Sequence, residues 1–426
     1  MAELSQTLDD VFRREKGRVV GGLVRLLGSI DAAEEAFQEA VVAALDTWPT
    51  AGTPDNPAAW LTSAAKSHWR DAERHRRVVE RKAPLLAEDD SMAPQTIESV
   101  SDNELRLIFA CCHPALTLES QVALTLKVVA GFTTDEIARA FLSPEKTVAQ
   151  RIVRAKLTLE EKRVPYEVPG RAELPARLAS VLAVVYLIFN EGHTTREGGL
   201  MRLDLQGEAL RLSRLLCDLL PNEAEPFGLL AMVALSCARA ATRSDDRGEL
   251  LLLSQQDRAR WDRPLIKEGL VALERARRLE GRGSSLLQAE IAACHATAAD
   301  WDATDWGHIL RCYDELLELN PSPVVALNRA VAVCMHDGPA EALAEVLGLE
   351  PRLASYYLFY AIRADFRRRL GENPLDDYRR ALELAGNDAE RSFLRRQIDE
   401  LDVDLGGPRS PNQVNGRKTK PKRGRT

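Results

Sequence analysis

Thr133-Thr-Asp-Glu-Ile-Ala-Arg-Ala-Phe-Leu-Ser-Pro-Glu-Lys-Thr-Val-Ala-Gln-Arg-Ile-Val-Arg154 reads as two helices and the turn between them. Thr133 and Glu136 have the spacing of a capping box, in which a hydroxyl caps the helix start and a Glu three residues on reaches back. Ile137, Ala138 and Phe141 give the short first helix an apolar face. Leu142-Ser143-Pro144 breaks it: Ser143 is suited to cap the next helix and Pro144 to its first position. In the second helix Val148, Ile152, Ala155 and Leu159 recur on one side. Lys146, Gln150 and Arg154 fall opposite, flanked by Thr147 and Arg151. This is a helix-turn-helix pattern, with an amide and cations where a major-groove reader carries them. The structural alternative is a short hairpin with a solvated charged face.

Upstream, Lys66, Arg70, Arg74, Arg77 and Arg81 are spaced by three or four and form one stripe on a helix. Such a stripe is what tracking a phosphate backbone needs, although alone it is more often a solvated face. Trp60 and Trp69 lie beside it and are expected to pack in the core. Further upstream, Asp31 and Glu34 have capping-box spacing. The helix they open turns Glu34, Glu35, Gln38 and Glu39 outward, with Phe37, Val41 and Leu45 available to pack.

The rest of the 426 residues also reads at helical period, with no strand–helix alternation, so the expected fold is all-α. Hydrophobic residues make up 45% and charged residues 28%, which excludes wholesale disorder. The longest clean apolar run, Val181–Phe189, is short of the ~20 residues of a membrane span, so no membrane association is expected. MAELSQTLDD lacks the basic-then-apolar order of a secretory signal, and seven scattered cysteines fit reduced thiols, so a cytoplasmic location is expected. The net charge of −7 hides a basic end: residues 406–426 hold seven Lys/Arg and no acid. Any DNA-binding face on the acidic body must therefore be local.

Prolines and charge divide the chain into residues 1–78, a linker at 79–101, a second helical block at 102–163, a proline-marked boundary at 164–174, a long helical block at 175–405 and the tail at 406–426. Within the long block Ala272–Gly281, Tyr313–Pro321, Ala342–Pro351 and Tyr378–Gly386 are amphipathic helix ends stopped by Gly or Pro. They recur at roughly the tetratricopeptide period and predict stacked helix hairpins.

In order, the acidic helix, the basic stripe and the helix-turn-helix resemble bacterial RNA polymerase sigma factors of the extracytoplasmic-function type. Ala33-Glu34-Glu35-Ala36-Phe37-Gln38-Glu39 is similar to the family's polymerase-docking helix in region 2, which implies that Glu35, Gln38 and Glu39 contact core RNA polymerase. Pro57–Leu61 and Ala65–Asp71 resemble the segments that open and read the −10 element of promoter DNA. The resemblance implies that the loop Pro49–Asn56, with Asn56, captures a non-template base. Glu136–Arg151 aligns without a gap on the −35 reader of region 4. Ala176–His193, Leu250–Gly269 and Ser322–Val333 look like the extension of a subgroup with a tetratricopeptide-like domain, which implies a regulatory role for it. A protein or ligand partner is expected there, and Asn190, Glu191, His193, Trp261 and Arg263 are the candidate contact residues.

Cys111-Cys112-His113, and Cys294, His295 and Cys312, lack the spacing of a four-ligand metal site and read as buried helix residues. Gly192 is well placed for a left-handed helix stop. No phosphate-binding glycine loop or nucleophile elbow occurs, so neither catalysis, cofactor nor metal is expected. The rival reading is a helix-turn-helix activator whose helical-repeat domain senses a ligand. The tail, with Arg417, Lys418, Lys420, Lys422, Arg423 and Arg425, has no apolar periodicity. Deleting residues 406–426 should lower only weak, salt-sensitive DNA affinity, measured by filter binding across a salt series. A lower unfolding temperature on deletion would show that the tail is docked.

Overall fold

The computed structural model describes residues 2–80, 97–141, 143–193, 201–245 and 249–404. Residues 81–96 of the linker expected at 79–101 and the basic tail therefore lie outside the described residues, as do Arg81 and Leu142, while residues 79–80 and 97–101 of that linker are helical. Among the described residues the structure is helical, with one isolated bridge between Ser244 and Leu250. In chain order the helices are α1 (Ala2–Leu27), α2 (Ile30–Ala51), α3 (Pro57–Glu80), α4 (Ile97–Cys111), α5 (Leu118–Val128), α6 (Thr134–Ala140) and α7 (Glu145–Glu161). Then come α8 (Leu174–His193), α9 (Leu203–Leu219), α10 (Ala224–Cys237), α11 (Arg263–Arg278), α12 (Ser284–Thr297) and α13 (Trp306–Leu319). The last six are α14 (Pro323–His336), α15 (Pro339–Leu347), α16 (Glu350–Leu353), α17 (Tyr357–Arg369), α18 (Leu375–Leu384) and α19 (Asp388–Asp404).

Two compact units result. The first comprises Met1–Thr195, Met201–Val233 and Ala272–Gly281. The expected boundary at 164–174 is thus not a boundary in space: α8 and α9 are built into the same body as α1–α7. In α1, Leu8, Phe12, Val19, Val20, Leu23 and Val24 are buried at helical spacing and pack on α2, α3 and α4. Two glycines one turn apart let α1 press directly onto α4. A Cβ on Gly21 would lie 2.6 Å from the Asn103 carbonyl oxygen. One on Gly17 would lie 2.7 Å from Glu104 Oε1 and 3.0 Å from the Val129 carbonyl.

The apolar run of α8 buries Val181, Leu182, Val184, Val185, Ile188 and Phe189 against α9, α5 and α4. Both α8 and the segment Ala224–Thr242 are long and apolar enough to cross a membrane by length and composition alone, so the nine-residue run understated them. Their apolar residues are largely spent on the protein core, which meets the same test. At the end of α8 the glycine expectation needs correction. Gly192 is inside the helix, and what demands a glycine is the start of α9: a Cβ would lie 2.8 Å from the Gln206 backbone nitrogen. Arg202 N and Gln206 Nε2 both donate to the Gly192 carbonyl, at 2.9 Å each.

The second unit holds α12–α19 and parts of α10 and α11, with α12 on α13, α13 on α14, α14 on α15, α15 on α17, α17 on α18 and α18 on α19. This succession fits the helical-repeat reading. Leu287, Ile291, Ile309, Cys312 and Leu316 form one apolar cluster; Leu327, Val346, Phe359, Phe366, Tyr378 and Leu394 belong to another. Beside the second, Asp377 is buried between Arg363 at 2.6 Å and Arg367 at 3.1 Å.

The α1–α4 crossing sets a stability test. Gly21→Ala should destabilise the chain by about 1–3 kcal/mol, because the added methyl meets backbone that cannot move aside. Gly22→Ala should be neutral or stabilising, since its Cβ would meet its nearest neighbour, Asn103 Nδ2, at 3.8 Å. Thermal unfolding of both variants decides this, and equal midpoints would refute the close approach.

Candidate promoter and polymerase interface

The helix-turn-helix forms as its local signals dictate. Thr133 Oγ1 accepts from Glu136 N at 3.1 Å and Glu136 Oε2 accepts from Thr133 N at 2.7 Å, closing the capping box at the start of α6. One detail differs from expectation. Pro144 itself occupies the cap position of α7, and Ser143 turns back to donate to the Phe141 carbonyl at 3.2 Å. Val148, Ile152, Ala155 and Leu159 are buried against α5 and α6. Lys146, Thr147, Gln150 and Arg154 are exposed and Arg151 is half-buried, so α7 presents an open polar and cationic face.

On α3, Arg70 and Arg74 are exposed and Lys66 is half-buried, while Arg77 lies further along the same helix. Burial, with Arg70 next to it, pushes the Lys66 ammonium below its ordinary value. Arg74 meets Asp71 at 3.6 Å, an exposed pair of little energetic weight. Trp60 and Trp69 are half-buried rather than in the core, and Trp60 packs edge-on against the buried Trp48 with ring centroids 5.3 Å apart. The loop before α3 is shorter than the sequence indicated, because α2 runs through Pro49 to Ala51. Asn56 is exposed, and its Oδ1 accepts from Ala59 N at 3.0 Å, capping α3.

On α2, Glu35, Gln38 and Glu39 are exposed on the outer face. Glu34 is not, which corrects the outward phasing, and Leu45 is exposed rather than packed. The expected Asp31–Glu34 capping box does not form either, because α2 already begins at Ile30 with Ser29 as its cap residue. Glu34 is instead 7% exposed, and Lys16 of α1 and Lys156 of α7 both donate to it, at 2.8 Å and 2.7 Å. Lys156 also holds Asp31, and Lys16 donates to the Lys127 carbonyl at 2.8 Å. Burial alone would raise the Glu34 carboxyl, but the two ammonium groups outweigh it and hold it below the ordinary range. Burial likewise lowers Lys156, and Glu34 and Asp31 reverse that into a net rise. A second link, from Arg13 of α1 to Glu136 of the capping box, joins the same two parts of the chain.

The candidate regulatory residues fall in both units. In the first, Asn190 is exposed, Glu191 buried and His193 half-buried, its ring 5.1 Å from Phe189. In the second, Arg263 is exposed, but Trp261 is not a surface residue. It is 4% exposed and its Nε1 donates to Thr242 Oγ1 at 2.9 Å. Cys111 and Cys112 are buried at the end of α4, and burial pushes the Cys112 thiol up to about 12. Among the described residues no group of three or more metal-ligating side chains gathers.

Two stretches of the chain match known family profiles that bear on this interface. Residues 11–78 match sigma-70 region 2, and residues 106–159 match sigma-70 region 4. The chain belongs to the sigma-70 family. Residues 177–277 of this sigma factor match a family of unknown function (DUF6596). It is also 40% identical over 394 residues to an uncharacterized protein of Rhizobium meliloti (strain 1021), covering 90% of this chain and 93% of the relative. The two sigma-70 regions carry binding to core RNA polymerase and to promoter DNA, followed by a helical C-terminal domain.

Glu34 and Glu35 make a paired test. Glu34→Gln strands two ammonium groups and should cost on the order of 3 kcal/mol, whereas Glu35→Gln should cost little. Because Glu34 is depressed below 4.5 in the folded chain, its contribution is present above that pH and fades as pH falls through the folded value. The wild-type advantage over Glu34→Gln should therefore shrink in acid. Denaturant melts of both variants from pH 7 to pH 3 check this, and a constant difference would refute it.

Proposed function

We propose that this sigma factor is of the extracytoplasmic-function type, with α2 and α3 serving core polymerase and the −10 element and α7 reading the −35 element. The exposed polar and cationic face of α7 supports the reading: Lys146 and Gln150 would meet base edges, and Thr147, Arg154 and the half-buried Arg151 phosphates. Glu35, Gln38 and Glu39 would dock on the polymerase. The sigma factor performs no chemistry of its own, since phosphodiester synthesis belongs to the polymerase, and it works in the cytoplasm. Base capture on the region 2 surface offsets the few kcal/mol that unstacking a base costs.

The extension regulates the two sigma regions by bracing them. Support comes from α8 and α9. Arg177 of α8 donates to the Phe109 carbonyl in region 4 at 2.7 Å. Arg211 of α9 donates to Glu104 of α4 at 3.1 Å while holding Glu208 at 2.8 Å. Glu104 is 1% exposed and lies where α1 crosses α4. Without α8, apolar surface of region 4 would face water. A chain ended near residue 170 should transcribe poorly; stronger transcription than the full chain would instead mark the extension as inhibitory.

Run-off transcription with core polymerase tests the rest. Glu35→Lys with Glu39→Lys should weaken core binding by on the order of tenfold at an unchanged unfolding midpoint, as expected for about 1.4 kcal/mol of lost contact. Gln150→Ala should relax promoter choice, with each good base contact worth about 1–3 kcal/mol, while Arg154→Ala should weaken all promoters alike. Selective binding of duplex DNA without polymerase would favour the activator reading.

A further inference from the structure

In the second unit, the segment after α10 winds back on itself and gathers cations. Asp262 N donates to the Ala238 carbonyl at 2.9 Å, closing the loop, and the Trp261–Thr242 hydrogen bond pins it. Arg258 stacks over the Trp261 ring at 4.8 Å and donates to the carbonyls of His295 and, at 3.0 Å, Ala298. That places Arg258 beside the His295 imidazole at the end of α12. His295 lies parallel to Trp301 and edge-on to Trp306, with centroids 6.3 Å and 5.3 Å away. Arg239 is within electrostatic range of His295 and of Arg243.

Among the described residues, no carboxylate forms an ion pair with Arg239 or Arg258 at the centre of this group. Arg243 has Glu390 and Tyr357 nearby, with Tyr357 donating to Glu390 at 2.6 Å. Arg258 has Asp300 within range but no ion pair with it. For Arg239, no carboxylate among the described residues is in ion-pair contact, and burial pushes its guanidinium down to about 10. Two further donors or acceptors are buried without a partner, Arg258 Nη2 and His295 Nδ1. Burial, with Arg239 and Arg258 next to it, holds His295 down to about 4, so the imidazole is neutral at pH 7. Arg239, Arg258 and His295 are each half-buried, with Arg258 Nη2 and His295 Nδ1 themselves turned inward. Desolvated cations facing one another are costly unless an anion joins them.

We propose that Arg239, Arg258 and His295, with Arg243 behind them, form a binding site for the phosphate group of a small ligand. Guanidinium forks match phosphate oxygens in pairs, and a dianion balances this group better than a single carboxylate does. A neutral imidazole adds either a donor or an acceptor to the phosphate's own proton. Three of the four residues lie within the stretch that matches the family of unknown function.

The test is thermal unfolding of the full chain in inorganic phosphate and in phenyl phosphate, against sodium chloride of equal ionic strength. Wild type should show a saturable rise of several degrees with phosphate over chloride. A larger rise with phenyl phosphate than with phosphate would identify a monoester as the preferred form, and the reverse would identify the free ion. Arg239→Met should lose the response and, without phosphate, melt no lower than wild type, because it removes an uncompensated cation. Arg239→Gln should likewise lose the response, and it decides the matter where the Met variant does not fold. A wild-type chain that responds to phosphate no more than to chloride overturns the assignment. So does an undiminished response in Arg239→Gln.

Discussion

The crossing of α1 on α4 is the constraint on which the first unit depends. Gly17 and Gly21 remove the side chains that would hold the two backbones apart, and the contact they permit brings region 2 against region 4. Everything else at that seam follows from the separation being so small. Lys16, one residue before Gly17, reaches Glu34 and the Lys127 carbonyl together. Glu104 is sealed at the crossing and needs Arg211 of α9 to balance it. Burial raises both Glu104 and Glu208, so one guanidinium serves two carboxyls that each resist ionising. Removing such a cation would cost far more than its hydrogen bonds suggest, because two buried acids would be stranded.

The helix-turn-helix was legible because its signals are local. A capping box, a proline at a helix start and a 3.6-residue apolar period each act within one or two turns, and together they place Val148 inward and Gln150 outward. The same period set Glu34 at the edge of the apolar face, where it reads as solvated. What turns it inward is Lys156, 122 residues later, and no local pattern carries that information. The GxxxG spacing at Gly17 and Gly21 was a usable signal for a close helix approach that went unread. Trp261 looked like a surface anchor because its neighbours Arg260, Asp262 and Arg263 are charged. Burial of the ring depends on Thr242, which comes within reach only when the chain doubles back. Arg239 and Arg258 were invisible for the opposite reason: an arginine in an acidic chain normally reads as paired.

The close seam has a mechanical consequence. The −10 and −35 elements are named for positions about 25 base pairs apart, roughly 85 Å along B-form DNA at 3.4 Å per base pair. In the first unit, Lys156 of α7 touches Glu34 of α2 at 2.7 Å. On the reading proposed above, serving both elements would part region 2 from region 4, separating Glu34 from Lys156 and Arg13 from Glu136. The seam is composed for such parting. Asn103 sits in it with both amide atoms unbonded, a debt that incoming water would cancel. Its ion pairs, once wetted, lose little. On that reading the closed seam would belong to the chain away from its promoter.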